Sequence, residues 1–309
     1  MTRVSTVANY SVVLANLLAA QKRQLDAGTM VATQKKGSDL KAFSRNAEML
    51  TAMRSVETRL SGFLEQNKLI ADKLTTQDFA LNQISDAAAA TKTALEEALA
   101  TGRTDTLMQE VEALFRNAVS GMNARYGGKY LFAGGKIDTL PVTAESLAQL
   151  TAPPAVIADF FQNDAFLAEH KVDDGTLVKA GILANDIGTQ LLTAYQTIQA
   201  FQEGPDGPFG GTLTDAQRDF IQGELETWSK LHSDMVDKTA RNGMVQARVE
   251  SVRTDLIARR DSLIGMISDI TDADMAEAAT FLEQATLSVQ ASTQVFLSLK
   301  ESSLLNFLK

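Results

Sequence analysis

Residues 46–100 read NAEMLTAMRSVETRLSGFLEQNKLIADKLTTQDFALNQISDAAAATKTALEEALA. Within this stretch Asn46, Met49, Met53, Val56, Leu60, Phe63, Asn67, Ile70, Leu74, Gln77, Leu81, Ile84, Ala88, Thr91, Leu95 and Ala98 fall at alternating three- and four-residue intervals. The alternation averages 3.5 residues, so these side chains form one seam along a helix that needs another helix to cover it. At a rise of about 1.5 Å per residue the segment is a rod roughly 80 Å long.

Reading outward toward the C-terminus, the rod ends at Gly102. A shorter helix follows, with Leu107, Val111, Leu114 and Ala118 on one face, and it stops near Gly127-Gly128. Between Tyr130 and Gly211 the heptads disappear, and all five prolines fall there (Pro141, Pro153, Pro154, Pro205, Pro208). Lys129–Gly135 reads as a short strand into a turn, and Val172–Val178 places an Asp-Gly pair between apolar runs, a hairpin signal. Short helices are expected over Ile157–Leu167 and, more strongly, Ile182–Phe201.

Thr214 with Gln217 forms a capping-box pattern that opens a second long helix. Its seam runs through Glu224, Trp228, Leu231, Met235, Lys238, Asn242, Val245, Val249, Val252, Leu256, Arg259, Leu263, Met266 and Ile270, and Gly243 lies inside it. Thr271 with Asp274 reads as the cap of a C-terminal helix. The ladder of that helix is Met275, Ala278, Leu282, Ala285, Val289, Ser292, Phe296, Leu299.

Toward the N-terminus, Thr33–Ser38 is a connector, with Ser38 or Asp39 as the N-cap of the rod helix. Before it a helix is expected from Ser5 to Asp26, stopped by Gly28, with the ladder Val4, Val7, Ser11, Leu14, Leu18, Gln21, Leu25. MTRVSTVANYSVVLANLLAA has its apolar run broken by Asn9, Ser11 and Asn16, so it reads as an amphipathic helix and not as a cleaved secretory signal.

The fold class that follows is mainly α. It is an elongated antiparallel bundle of long heptad helices with a small α+β insertion at the far end. Residues 1–38 and 271–309 form terminal assembly helices, 39–129 and 212–270 the helical rod, and 130–211 the insertion. Narrow apolar seams at both chain ends call for partner helices, which points to assembly ahead of catalysis.

Composition supports this and narrows the chemistry. Apolar residues make up 45% of the chain but aromatics only 6%, which suits helices packed closely along their length. The net charge of −9 argues against nucleic acid and anionic membranes as partners, because both reward a positive surface. No apolar run reaches membrane-spanning length. Cysteine is absent, so disulfides and thiol chemistry are excluded.

His170 and His232 lie in different segments, neither with a metal-ligand partner at helical spacing. Asp269, Asp272, Asp274 and Glu277 lack the EF-hand pattern and suit a first helical turn. Gly134-Gly135-Lys136 lacks the rest of a phosphate-binding loop. The chain is therefore read as a non-enzyme, with no cofactor and no metal.

Several strings resemble the flagellin superfamily, in order along essentially the whole chain. Arg3-Val4-Ser5-Thr6 with Tyr10 is similar to the opening of the family's hook-filament junction branch. Tyr130–Gly134 resembles the string before the family's variable insert. Arg241–Glu250 resembles its second long helix, with Gly243, Gln246, Arg248 and Glu250 at motif positions. Asp272–Ala278 and the ending Ser303–Leu308 complete the likeness. Lys35–Leu40 keeps only part of the family's Gly-Lys stretch with its paired aspartates.

The resemblance implies a structural subunit of the bacterial flagellum that is exported unfolded without a cleaved signal and assembled outside the cell. The implied partners are further copies of the chain, a neighbouring hook-associated protein, flagellin, the export machinery and an export chaperone. Its assembly interface is expected at Val4, Val7, Leu14 and Leu18 with Leu282, Ala285, Val289, Phe296 and Leu299. A filament flagellin is the nearest alternative, and a secreted coiled-coil effector or adhesin the alternative from another class.

Overall fold

The computed structural model describes the backbone of residues 2–305 and the side chains of residues 10–299. In chain order it contains α1 (Thr2–Thr33), α2 (Ala47–Thr101), α3 (Leu107–Met122), β1 (Arg125–Tyr126), β2 (Lys129–Tyr130) and α4 (Leu147–Thr151). These are followed by β3 (Glu169–Lys171), β4 (Leu177–Lys179), α5 (Ala184–Glu203), α6 (Asp215–Thr271) and α7 (Met275–Leu305). The strands form two antiparallel hairpins, β1 with β2 and β3 with β4. The class is mainly α, a helical bundle with a small strand-bearing insertion.

The chain divides into two compact units, Met1–Arg59 with Ala258–Lys309 and Leu60–Ile257, so each long helix, α2 and α6, contributes to both. In the second unit α2 and α6 run antiparallel. Leu213 N–H donates to Gly102 O and Thr104 N–H to Gly211 O, both at 2.9 Å, zipping the end of α2 to the start of α6. Gly102 takes φ +67°, the left-handed C-terminal conformation expected of it. The capping box at the start of α6 also forms: Gln217 N–H donates to Thr214 Oγ1 at 3.2 Å and Thr214 N–H to Gln217 Oε1 at 3.1 Å.

The core of this unit joins Leu81, Ile84 and Leu95 of α2, Val111 and Phe115 of α3, Leu191 and Tyr195 of α5, and Trp228 of α6. Tyr195 meets Phe115 and Trp228 edge-on, with ring centroids 5.4 and 4.8 Å away, and its hydroxyl lies 3.0 Å from Thr91 Oγ1. Leu131, Phe132, Val142, Leu147 and Leu150 of the insertion belong to the same core. Part of the insertion also lies along α2. Asn67, fully buried on the α2 seam, donates from Nδ2 to Val172 O at 2.9 Å and so fastens the β3–β4 hairpin. The turn of that hairpin is held by Asp173 Oδ1, which accepts from Gly175 and Thr176 N–H at 2.7 and 2.6 Å.

Asp39 caps a 3-10 turn over Leu40–Phe43 and the rod helix α2 starts only at Ala47, and other local expectations change too. First, α1 does not stop at Gly28 but continues to Thr33, and Gln34 takes the left-handed conformation at φ +58°. The helix persists because buried Ala27 and half-buried Val31, on either side of Gly28, stay on the face that packs against α7. Second, Ile157–Leu167 forms only a 3-10 turn over Ile157–Phe160. Third, α7 is capped by Asp274 itself, whose Oδ1 accepts from Ala276 N–H at 2.8 Å, and not by Thr271.

Fourth, within the first unit the covered face of each long helix departs from the expected seam by one residue at alternate positions. On α2 Leu50 and Glu57 are covered in place of Met49 and Val56, while Met53 stays on the seam. On α6 Arg260 and Ile267 are covered in place of Arg259 and Met266, while Leu263 and Ile270 stay on the seam. An α-helix turns every 3.6 residues, so a strict 3.5-residue stripe drifts by about 20° per heptad unless the helices supercoil to follow it.

Candidate assembly interface

The candidate site belongs to the first unit, where α1 lies along α7 more extensively than any other pair of elements. The pair is antiparallel. Tyr10 meets Phe296 with ring centroids 5.0 Å apart, and Gln24 Nε2 donates to Thr286 Oγ1 at 3.1 Å. At the base of the pair, Lys36 N–H donates to Thr271 O at 2.8 Å and Ala273 N–H to Gln34 O at 2.9 Å.

Between those two backbone bonds, the Lys35 ammonium pairs with the Asp272 carboxylate, which also accepts from Ser268 and Thr271. Hydrogen bonding from Lys35, then from Ser268, holds the Asp272 carboxyl well below the usual range, at about 2. Lys36 Nζ reaches the Asp269 and Ile270 carbonyl oxygens at the end of α6, where a cation complements the helix dipole. The acidic cluster Asp269–Glu277 is thus occupied by an ion pair and a cap. Among the described residues no group of ligands suited to a metal ion occurs.

The two helices meet through small side chains. Ala20 and Ala27 on α1 and Ala278 and Ala285 on α7 are all buried, which permits close backbone approach. On α7 the covered stripe is Ala278, Leu282, Ala285, Val289, Ser292, Phe296 and Leu299, so the five interface residues expected there lie on the α1-facing side, buried or half-buried. On α1 the covered stripe is Val13, Leu17, Ala20, Gln24, Ala27 and Val31, a second ladder that sequence reading missed. Leu14 and Leu18 lie on the other ladder and are 38% and 57% exposed, with Leu25 at 72%. Val4 and Val7 lie outside the residues whose side chains are described.

The missed ladder had a signal. The apolar residues of α1 occupy two faces, and a helix apolar on more than one side expects cover on more than one side. Helix α7 repeats the theme, with Phe281, Leu287, Val295 and Leu297 about half exposed. Along one flank of the pair, Arg23, Asp26 and Met30 face Phe281, Gln284 and Ser288 across an open groove of about 350 Å³. What this surface offers chemically is apolar area and shape, edged by the polar side chains of Arg23, Asp26, Gln284 and Ser288.

His170 and the titratable and aromatic groups of the second unit's core are not part of this surface. His170 is half-buried on β3, and burial, aided by the Lys73 charge, lowers its pKa. Trp228 and Tyr195 are core residues. Glu224 has its carboxyl pKa raised by burial.

Residues 228–308 match the family model of the bacterial flagellin C-terminal helical region. No curated protein matches the sequence. The fold is similar to that of a protein from Vibrio parahaemolyticus described as a flagellar hook-associated protein, with TM-score 0.60 and 14% identity over 73% of this chain and 97% of the other. It is also similar to FlgL of Bacillus cereus, with TM-score 0.52 and 14% identity over 71% and 99%. FlgL of Xanthomonas campestris gives TM-score 0.54 and 13% identity over 70% and 98%.

Proposed function

We propose that the chain is a member of the flagellin superfamily, whose C-terminal helical region matches residues 228–308, and a structural subunit of the flagellum built in at the hook-filament junction. The fold it shares with hook-associated proteins supports this reading. The observation that carries it is the state of the α1–α7 pair. One face of each helix is closed against the other, while Leu14, Leu18 and Leu25 on α1 and Phe281 and Val295 on α7 are left toward solvent.

Burying one such leucine or phenylalanine stabilises a contact by about 1.5–3 kcal/mol. A handful of them repeated between neighbouring copies is enough to drive association. The covered residues Leu282, Ala285, Val289, Phe296 and Leu299 keep the pair in register, and the exposed stripe joins it to the next subunit. Val4 and Val7 extend the α1 stripe in the sequence. The subunit leaves the cell through the flagellar export machinery, escorted by a chaperone that covers the apolar chain ends, and sits between a hook-associated neighbour and flagellin.

The test is complementation of a gene deletion in the source organism. Cells lacking the gene are expected to keep hooks, lose filaments and shed flagellin into the medium. The wild-type gene restores motility and a Leu14→Asp/Leu18→Asp variant does not, although its purified monomer keeps the wild-type circular dichroism spectrum. Motile deletion cells would overturn the flagellar reading, and full rescue by the double variant would overturn the role of the stripe.

A further inference from the structure

The β3–β4 hairpin of the second unit has two unlike faces. Glu169, Lys171, Leu177 and Lys179 are exposed, whereas Val172 and Val178 are buried and His170 is half-buried beside them. The hairpin is docked on α2 by the bond from Asn67 to Val172 O, and the Lys171 ammonium lies 5.9 Å from the Phe63 ring. A two-stranded hairpin is marginal on its own in water. The hydrogen bonds inside this one therefore depend on its docking.

His170 is the polar member of the covered face. Its Nε2 is enclosed and has no hydrogen-bond partner. The charge that acts on it is that of Lys73 on α2, itself half-buried. The carboxylates nearby do not offset it. Glu169 pairs with Lys179 at 3.3 Å on the outer face, and Asp173 accepts from two backbone N–H groups in the turn beside exposed Asp174. Glu65, Lys68 and Asp72 hold exposed positions of α2. Across the cleft next to Lys179, α6 brings Lys238 and Arg241, and α5 brings Asp186. Burial first, then the Lys73 charge, disfavours the imidazolium, so His170 titrates below its ordinary 6.5 while the hairpin is docked.

We propose that the β3–β4 hairpin is an acid-released clasp on α2, held while His170 is neutral and let go when it takes up a proton beside Lys73. Docking favours the neutral ring, so this contribution is fully present above the ordinary value and declines as pH falls below it. That window lies well above the interval in which Asp272 titrates. Release uncovers Asn67 together with Val172 and Val178. The clasp belongs to the folded monomer and works independently of the flagellar role.

Hydrogen exchange of the purified full chain provides the test. Val172 N–H donates to Thr176 O at 2.9 Å and Ala180 N–H to Ala168 O at 3.1 Å. After correction for the intrinsic pH dependence of exchange, both amides are expected to lose protection severalfold between about pH 7.5 and pH 5. Amides of α5 are expected to keep theirs. In His170→Gln the hairpin protection is expected to be equal at both pH values. In Lys73→Met the acid loss is expected to shrink while the His170 ring titrates at higher pH by NMR. If His170→Gln already frees the hairpin at neutral pH, Lys73→Met decides. Constant protection in wild type, an equal acid loss in a docked His170→Gln, or a Lys73→Met protein that behaves as wild type would each overturn the proposal.

Discussion

Gln77 and Asn242, one on each long helix and both fully buried, meet side chain to side chain at 3.0 Å in the second unit. Most of the seam around them is apolar, with Leu74 and Leu81 buried on α2 and Met235 and Val249 on α6, and half-buried Lys238 is the charged exception beside Asn242. Gln246 Nε2 adds a donor to Leu74 O at 2.9 Å. The hydrogen bond between the two amides forms in one register only, since a shift of either helix would break it. The pair therefore fixes how α2 and α6 align.

Asn242→Leu is expected to destabilise the protein by about 1–3 kcal/mol, because it strands the Gln77 amide in the core. Gln77→Leu/Asn242→Leu removes both partners and is expected to recover most of that loss. Urea unfolding of the two single variants and the double variant gives the coupling energy. A double variant as unstable as the sum of the singles would show that the two amides act independently.

The start of α6 supplies a second prediction. Thr214 and Gln217 satisfy each other's backbone N–H groups, and Gln217 Nε2 also donates to Pro208 O at 3.2 Å. Thr214→Ala is expected to cost about 1 kcal/mol, within the usual range for losing an N-cap. Thr214→Ser keeps the oxygen and is expected to cost far less. Thermal unfolding of the two variants measures the difference.

These same residues mark what the sequence made legible and what it did not. The 3-4 ladder on residues 46–98 and the box at Thr214 are local patterns, and both became the expected elements. So did the Asp173–Gly175 turn, because an Asp side chain that bonds two residues ahead needs nothing from the rest of the chain. The choices that went differently depend on tertiary partners.

Gly28 signals a helix stop, but packing of Ala27 and Val31 overrides its propensity. The choice of Leu50 over Met49, or Ile267 over Met266, is set by the drift of a straight helix and by which neighbour it meets. On α1 the sequence offered two ladders of similar quality. Only the structure tells that Val13, Leu17 and Ala20 turn toward α7 while Leu14 and Leu18 do not.

Close approach of α1 and α7 depends on alanines. Ala20 is 1% and Ala278 0% exposed, so neither has room for a larger side chain. Ala278→Leu is expected to force the helices apart and destabilise their pairing by about 1–3 kcal/mol. Backbone amide exchange in α1 and α7 should rise while exchange in α5 and the buried part of α2 stays as in wild type. Unchanged protection in α1 would mean that the pair tolerates the added volume.

The contact between Lys35 and Asp272 makes the base of that pair sensitive to acid. The Asp272 carboxyl sits at about 2 when folded, against 3.8 ordinarily, so the folded state favours its ionised form. Its stabilising effect is fully present above the unfolded value and is lost as pH falls through the folded one, between roughly pH 4 and pH 2. Both side chains are more than 40% exposed, so solvent and salt screen the pair and the effect is modest. Hydrogen exchange at Lys36 and Ala273, whose N–H groups flank the ion pair, is expected to accelerate over that interval in wild type. In Asp272→Asn the same amides are expected to exchange faster at neutral pH and to lose this acid dependence. An acid profile identical in the two proteins would place the titrating group elsewhere.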